Sequence, residues 1–351
     1  MKRIIFFQPA LPEYRVDFFK ELINLTKGTY KLEVHSAQQD FLGVRSKKTE
    51  FSTSRGYFKK FGPFYWQTSL PKLSFELDDI VVVTGNPRII NYMVILAYCK
   101  IKRIKVIWWG QGWTAGSRSF FSSLRRKLML VADGIAVYTE KEASELEHKN
   151  LVGLNNGLKL SHDIFLGDKM VRSDNASLNL LFIGRLTEKA NVRFLFRALA
   201  QCKSEYNLSI IGDGPEKSTL NALASELGID DKITWYGEVT TEAEIASVAK
   251  HCDYFIYPGS VGLSLIHAFN LFLPAIVHNK TALQMPEYAA FSNAYNGFSF
   301  EYGNIDSLAS LVDRLEFIGI GEMRLNARKT VELTFNTGDM AKRFYSIIEK
   351  L

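Results

Sequence analysis

The sequence holds only three cysteines, Cys99, Cys202 and Cys252, and their spacing fits neither a metal-ligand pattern nor an even disulfide framework. A reducing cytoplasmic setting is expected, with the thiols packed as small hydrophobes. Long apolar runs are missing too. The longest, Tyr92 to Cys99, falls far short of the roughly 20 residues a membrane-crossing helix needs. The run Ile4 to Phe7 behind Met1-Lys2-Arg3 is too short for a secretory leader and reads as a first strand. No Gly-x-Gly-x-x-Gly follows that strand, which argues against a dinucleotide oxidoreductase. No paired carboxylates stand at a strand end to hold a divalent metal, and no nucleic-acid-binding motif occurs.

What is present points to two α/β domains. With 351 residues, 47% of them hydrophobic, the chain can bury two cores. Charge is divided unevenly. Residues 1–160 carry 25 Lys and Arg against 14 Asp and Glu, a net +11, which leaves 18 against 23, a net −5, for 161–351. In the first half Arg45, Lys47, Lys48, Arg55, Lys59 and Lys60 are interleaved with Phe51, Tyr57, Phe58, Phe61, Phe64, Tyr65 and Trp66, and Arg118, Arg125, Arg126 and Lys127 follow later. Cations mixed with aromatics suit either a solvated loop or an anionic lipid surface or lipid-phosphate acceptor.

Strand and helix patterns alternate along the chain. Arg3–Phe7, Tyr30–His35, Asp79–Thr84, Lys105–Trp109 and Gly134–Tyr138 are predicted strands, and Arg15–Thr26 and Lys141–Lys149 predicted helices, with 40–70 a long loop or hairpin. Pro87 suits the first position of a helix after the strand ending at Thr84, with Arg88 beside it. The glycines of Gly110-Gln111-Gly112-Trp113 allow close approach of a ligand to backbone. Leu154-Asn155-Asn156-Gly157 and the polar stretch from Asp168 to Ser177 mark a change of domain. A second series then predicts strands at 178–183, 207–211, 232–236 and 253–257, with helices at 191–202, 215–227 and 241–250 between them. The fold class expected is α/β, two doubly wound Rossmann-like domains facing across a cleft, with ligands at the carboxyl ends of the strands.

Three strand ends of the second half carry polar turns. Gly184-Arg185 opens a loop with Lys189 in it, Gly212-Asp213-Gly214-Pro215 makes a tight turn, and Pro258-Gly259-Ser260 leads to a helix. Ser260 suits the N-cap of that helix, leaving amides from Val261 to Ser264 exposed as an anion site for a phosphate or diphosphate.

The order of these pieces carries a resemblance. Gly-Arg-Leu followed by Lys189, then Gly-Asp-Gly-Pro, Tyr236-Gly237, Gly262-Leu263-Ser264, Pro274-Ala275-Ile276-Val277 and Asn296-Gly297-Phe298 resemble the C-terminal half of retaining glycosyltransferases of the GT-B fold, family 4 type, over about 178–310. The first half resembles them only in its βα pattern. The resemblance implies an N-terminal acceptor-binding domain (1–165), a C-terminal nucleotide-sugar-binding domain (166–335) and a closing helix (336–351) that crosses back to the first. It implies Arg185 and Lys189 as the cations on the departing diphosphate. Gly184, Gly214, Tyr236, Gly259, Gly262, Leu263, Ser264 and His267 fall around the donor, and Arg15, Arg88 and Gln111 on the acceptor side. No cofactor and no metal are expected beyond the nucleotide-diphosphate sugar as donor substrate. The expected partners are that donor and a glycan or lipid-linked acceptor in lipopolysaccharide or capsule synthesis, with the inner-membrane surface reached through the basic first domain from the cytoplasm.

Several positions depart from the family pattern. Its two glutamates, one contacting the donor sugar and the other the ribose, are here Gly259 and His267. Gly259 offers only backbone, and His267 keeps a hydrogen-bonding ring. Gln111 stands where many relatives have His, Gln8-Pro9-Ala10-Leu11-Pro12 lacks a glycine pair, and Lys189 stands one residue closer to Arg185 than usual. Two other readings stay open: a catalytically silent nucleotide-sugar-binding homologue, and an epimerase on the same fold using Glu238, Asp213 or Glu216 as acid and base.

Overall fold

Short runs of aliphatic, β-branched and aromatic residues form parallel strands, and amphipathic stretches between them form the covering helices. The computed structural model describes residues 1–72, 74–112, 120–161, 177–315 and 319–351. Trp113, Arg118 and most of the polar stretch 168–177 lie outside them. Two compact units result: Met1–Lys159 together with Asn336–Leu351, and Leu160–Phe335.

The first unit runs β1 (Lys2–Phe7), α1 (Glu13–Thr26), β2 (Tyr30–Ser36), β3 (Ser52–Ser54), β4 (Phe58–Phe61), β5 (Phe64–Gln67), β6 (Ile80–Thr84), α2 (Ile90–Lys102), β7 (Lys105–Trp109), α3 (Phe120–Met129), β8 (Gly134–Val137), α4 (Glu140–Ser144) and β9 (Leu151–Gly153). Its seven-stranded parallel sheet has the order β3-β2-β1-β6-β7-β8-β9, and β4 and β5 pair separately as a hairpin. The residues Ile80 to Val83 are buried on both faces, as a covered parallel strand must be. Pro87 does not start a helix. It lies in a turn in which Asn86 Oδ1 accepts from the Arg88 amide at 3.1 Å, and α2 begins only at Ile90. The helix expected over Lys141–Lys149 is one short piece ending at Ser144, started by a capping box between Thr139 and Glu142.

The second unit runs β10 (Leu178–Ile183), α5 (Val192–Leu199), β11 (Tyr206–Ile211), α6 (Lys217–Glu226), β12 (Ile233–Gly237), α7 (Glu242–Ala249), β13 (Tyr254–Tyr257), α8 (Leu263–Asn270), β14 (Ala275–His278), β15 (Gly297–Phe300), α9 (Ile305–Leu315) and α10 (Gly321–Leu333). The sheet is parallel, with order β12-β11-β10-β13-β14-β15. The order reverses between β10 and β13, so the strand ends there form a topological switch point.

The final helix, α11 (Thr337–Ile348), belongs to the first unit. It lays Phe344 against Phe6 (5.5 Å between centroids) and Trp109 (5.5 Å), in a cluster shared with Phe18 and Phe19. Arg343 ties it to Glu140 as well as to Asp339 within the helix, and the Glu140 carboxyl is held below its usual range chiefly by that hydrogen bond.

Candidate functional site

The loops leaving β10, β11 and β13 are joined backbone to backbone. The Gly184 amide donates to Ile211 O at 3.0 Å, the Leu186 amide to Asp213 O at 2.9 Å, and the Glu216 amide to Leu186 O at 3.1 Å. Glycine permits this approach. A Cβ on Gly214 would stand 2.3 Å from Leu186 O, and one on Gly212 would stand 1.9 Å from Gly184 O.

Gly259 allows the same close approach at the neighbouring strand end. A Cβ there would lie 2.0 Å from Lys189 O and 2.8 Å from both the carbonyl carbon and oxygen of Ala190, and the Ser260 amide points at Lys189 O at 3.4 Å. The loop that carries Arg185 and Lys189 is thereby fixed against the turn preceding α8. Both side chains are exposed, and neither has a hydrogen bond or ion pair among the described residues. Charges held this way remain available to an anion.

The start of α8 differs from expectation. Gly262, not Ser260, is the N-cap, and no side chain caps the helix. The Val261 amide is taken by Gln284 Oε1 at 2.8 Å, while Gln284 Nε2 donates to His278 O at 3.0 Å. The amides of Gly262, Leu263 and Ser264 have no acceptor among the described residues. The run of unbonded amides at this helix end is therefore one residue shorter at its front than the sequence suggested. Glu287 is buried close by, with Oε2 3.6 Å from where a Cβ on Gly262 would stand. Neither Gln284 nor Glu287 is among the residues expected from the sequence, where polar side chains in the loop after β14 were the available signal.

His267, one turn into α8, is not alone. Its Nε2 lies 2.9 Å from Glu242 Oε2, and this hydrogen bond holds the Glu242 carboxyl below its ordinary range. Glu242 opens α7 and is 60% exposed, so the pair presents a carboxylate to solvent. Tyr236 is exposed near the end of β12, where Gly237 O accepts from the Gly212 amide at 2.7 Å.

A cavity of about 530 Å³ is lined by Thr187, Glu188, Arg193, Arg197, Glu216 and Ile305, among others. None of Arg185, Lys189 or Gly259–Ser264 lines it, so it is separate from the anion site. Two of the three carboxylates considered as acid and base for epimerisation have partners. Glu216 is paired with Arg193 at 2.7 Å, and Asp213 Oδ1 accepts from its neighbour's amide at 2.6 Å.

In the first unit, Arg15, expected on the acceptor side, sits buried in α1, donating to Asn156 Oδ1 at 2.9 Å and lying 5.5 Å from the Trp109 ring. Arg88 is half-buried and donates from Nε to Pro63 O at 2.6 Å, which fastens the tip of the β4–β5 hairpin. Gln111 is half-buried beyond β7, beside Gly112, whose amide donates to Glu142 Oε1 at 3.0 Å. Among the described residues no cluster of three or more His, Cys, Asp or Glu could hold a metal.

Comparison with known proteins fits this geometry. Residues 169–331 match the family described as Glycosyl transferases group 1. An uncharacterized glycosyltransferase of Methanocaldococcus jannaschii is 27% identical over 175 residues, 48% of this chain and 44% of that protein, so the match spans less than half of the relative's length. Among solved structures, the apo form of the lipopolysaccharide outer core galactosyltransferase WaaB superposes with a TM-score of 0.73 at 16% identity, covering 99% of this chain and 100% of that one. HepE of Anabaena, solved in complex with UDP, gives 0.69 at 14% identity, covering 100% of both chains. The chain therefore has the two-domain GT-B fold expected from its sequence, and the match to the glycosyl transferases group 1 family covers residues 169–331 of it.

Proposed function

We propose that the chain transfers a sugar from a nucleoside-diphosphate donor to a glycan or lipid-linked acceptor in bacterial surface polysaccharide synthesis, with retention and without a metal. The observation that carries this is the juxtaposition in the second unit: unpaired Arg185 and Lys189 on a loop whose Lys189 carbonyl abuts Gly259, directly before a helix with three free amides. When the bond between the anomeric carbon and the diphosphate oxygen breaks, negative charge develops on the departing group. Preorganised cations and amides aimed at that charge supply the largest catalytic term. The acceptor oxygen forms its bond to the anomeric carbon on the face the diphosphate leaves, and its proton passes to a leaving phosphate oxygen.

In this reading the second unit binds the donor and the first the acceptor, with Gln111 and the part-exposed Arg88 on the acceptor side. Tyr236 lies toward the nucleotide. A ribose hydroxyl meets the Glu242–His267 pair rather than His267 alone, because the imidazole already holds the exposed carboxylate.

Isothermal titration with UDP, GDP and ADP against the full chain, with Arg185→Ala and Lys189→Ala alongside, tests the proposal. One nucleotide should bind, and each alanine variant should weaken it by about tenfold or more, the scale of losing a charge-assisted contact. With the matching donor, Arg185→Ala should lower turnover by about two orders of magnitude, and turnover should survive chelation by EDTA. Equal nucleotide affinity in wild type and Arg185→Ala would refute the assignment.

A further inference from the structure

The amides that begin α8 act on an anion only if the helix is held at one setting along its axis. Its flanks do little to fix that setting, because Leu265, Ile266, Ala268 and Phe269 are buried and apolar, and apolar contacts have no preferred direction. The far end of the helix is gripped instead. Arg324 and Arg328 stand one turn apart on the face of α10 that packs along α8, and both are buried. Arg328 Nη1 donates to Asn270 O at 2.9 Å and to Asn270 Oδ1 at 2.7 Å. Arg324 Nη1 reaches Phe272 O at 3.4 Å, while its Nη2 donates to Cys252 O, two residues before β13, at 2.7 Å. Ser161 holds the Asn270 side chain as well, its amide donating to Oδ1 at 3.1 Å. The two guanidinium groups thus meet the negative end of the α8 dipole, where a buried cation is favoured.

A second observation lies one residue past the helix. α8 ends in a Schellman motif, in which the Phe272 amide donates to Phe269 O at 3.1 Å and the Leu273 amide to Ala268 O at 2.9 Å. The turning residue of that motif takes a left-handed conformation, which glycine adopts without strain. Here it is Phe272, with φ of 59°, and a bulky side chain is unfavourable there. The ring lies 5.0 Å from the Arg328 guanidinium, close enough for a cation–π contact. Local backbone geometry disfavours phenylalanine at this position, and the contact with Arg328 is what its ring gains in return.

We propose that Arg328, rested on Phe272, is a positioning residue for sugar transfer: it fixes how far α8 projects and so sets the distance from the Gly262, Leu263 and Ser264 amides to the departing diphosphate. This rests on the donor site proposed above and adds a residue at the opposite end of the helix. Eight residues span about 12 Å, so Arg328 acts through α8 and not by touching the donor. The contribution of the amides grows as charge builds on the leaving group, so a small misplacement raises the barrier more than it weakens binding. Arg185 and Lys189 stand on a different loop and keep the affinity for the ground state.

Release of nucleoside diphosphate from UDP-galactose, UDP-glucose, GDP-mannose and ADP-glucose measures turnover of the full chain, and calorimetry with UDP, GDP and ADP measures affinity, both well below the melting transition. With the nucleotide sugar that turns over, Arg328→Met should lower kcat by about tenfold to a hundredfold, while KM and nucleotide affinity change by no more than about threefold. Arg328→Lys keeps the charge without the planar fork and should fall between wild type and Arg328→Met. Phe272→Gly guards against misfolding. It relieves the strained turn while removing the ring, so its melting temperature should stay near that of wild type and kcat should still fall by about tenfold. A side chain that only stabilises the fold would shift the melting temperature and leave kcat of the folded enzyme unchanged. That result in both Arg328→Met and Phe272→Gly, or an equal fall in kcat and nucleotide affinity, would overturn the proposal. Arg185→Ala separates the readings: if it loses nucleotide affinity while Arg328→Met and Phe272→Gly turn over as wild type, the positioning role alone is refuted. If Arg185→Ala binds nucleotide as wild type does, the donor site fails and the positioning role fails with it.

Discussion

Replacing Gly259 by alanine tests how the donor site is held together. The added Cβ would stand 2.0 Å from Lys189 O, against the roughly 3.2 Å or more that carbon and oxygen need, and its other near neighbours are the backbone atoms of Ala190. Gly259 does not adopt the left-handed conformation, so the penalty is steric rather than torsional. No rotamer change relieves it, because backbone blocks the way on both sides. Either the Arg185–Lys189 loop or the end of β13 must move by about 1 Å, at an overpacking cost of about 1–3 kcal/mol. At about 2 kcal/mol, a unit of this size should melt about 4–8 °C lower. The displaced loop carries both cations, so the affinity for whichever of UDP, GDP and ADP binds, measured by calorimetry, should fall along with the melting temperature, by about tenfold for a loss near 1.4 kcal/mol. Gly259→Glu, which installs the residue the resemblance would place there, should be worse than alanine. A Gly259→Ala protein with unchanged melting temperature and nucleotide affinity would refute this account of the contact.

His278 should make stability depend on pH. It is buried, its Nδ1 accepts from the Lys280 amide at 3.2 Å, and burial, helped by the Lys280 charge, lowers its pKa from 6.5 to about 4. Above pH 6.5 both folded and unfolded chains hold it neutral; between 6.5 and about 4 only the unfolded chain takes the proton, so stability falls as pH falls, by up to about 3 kcal/mol. Urea midpoints should show a slope through this window that is flatter in His278→Gln, and an unchanged slope would remove His278 as its source; His35, also lowered by burial, should contribute in the same direction in the first unit. Gly338→Ala should act oppositely to Gly259→Ala. It lies in the first turn of α11, where an added Cβ meets only Asn336 Oδ1 at 3.4 Å, so thermal unfolding should show a gain of up to about 1 kcal/mol, and a loss would mean the Asn336 cap is disturbed.

Strand and helix alternation was legible because parallel strands buried on both faces must be apolar runs, and both sheets fall where those runs lie. The burial of Arg15 has a signal in the sequence too, although the family resemblance pointed the other way. Phe18, Phe19 and Leu22 stand three, four and seven residues on, which puts Arg15 on the buried stripe of α1. The partners of the donor loop were not legible. Gln284 reaches Val261 across 23 positions, and Glu242 reaches His267 across 25, through sheet order rather than local pattern.

Two departures that the resemblance implies meet at one place in the structure. Gly259 in place of Glu and the shortened interval from Arg185 to Lys189 look independent in the sequence. In the structure they meet in one contact, because the Lys189 carbonyl occupies the space that any side chain at 259 would need. A loop drawn in by one residue requires glycine opposite it, and glycine opposite it lets the loop close. Lengthening the 185–189 loop and placing Glu at 259 should therefore go together; either change alone should weaken binding of whichever nucleotide the titration identifies, and the two should be strongly non-additive in a double-mutant cycle.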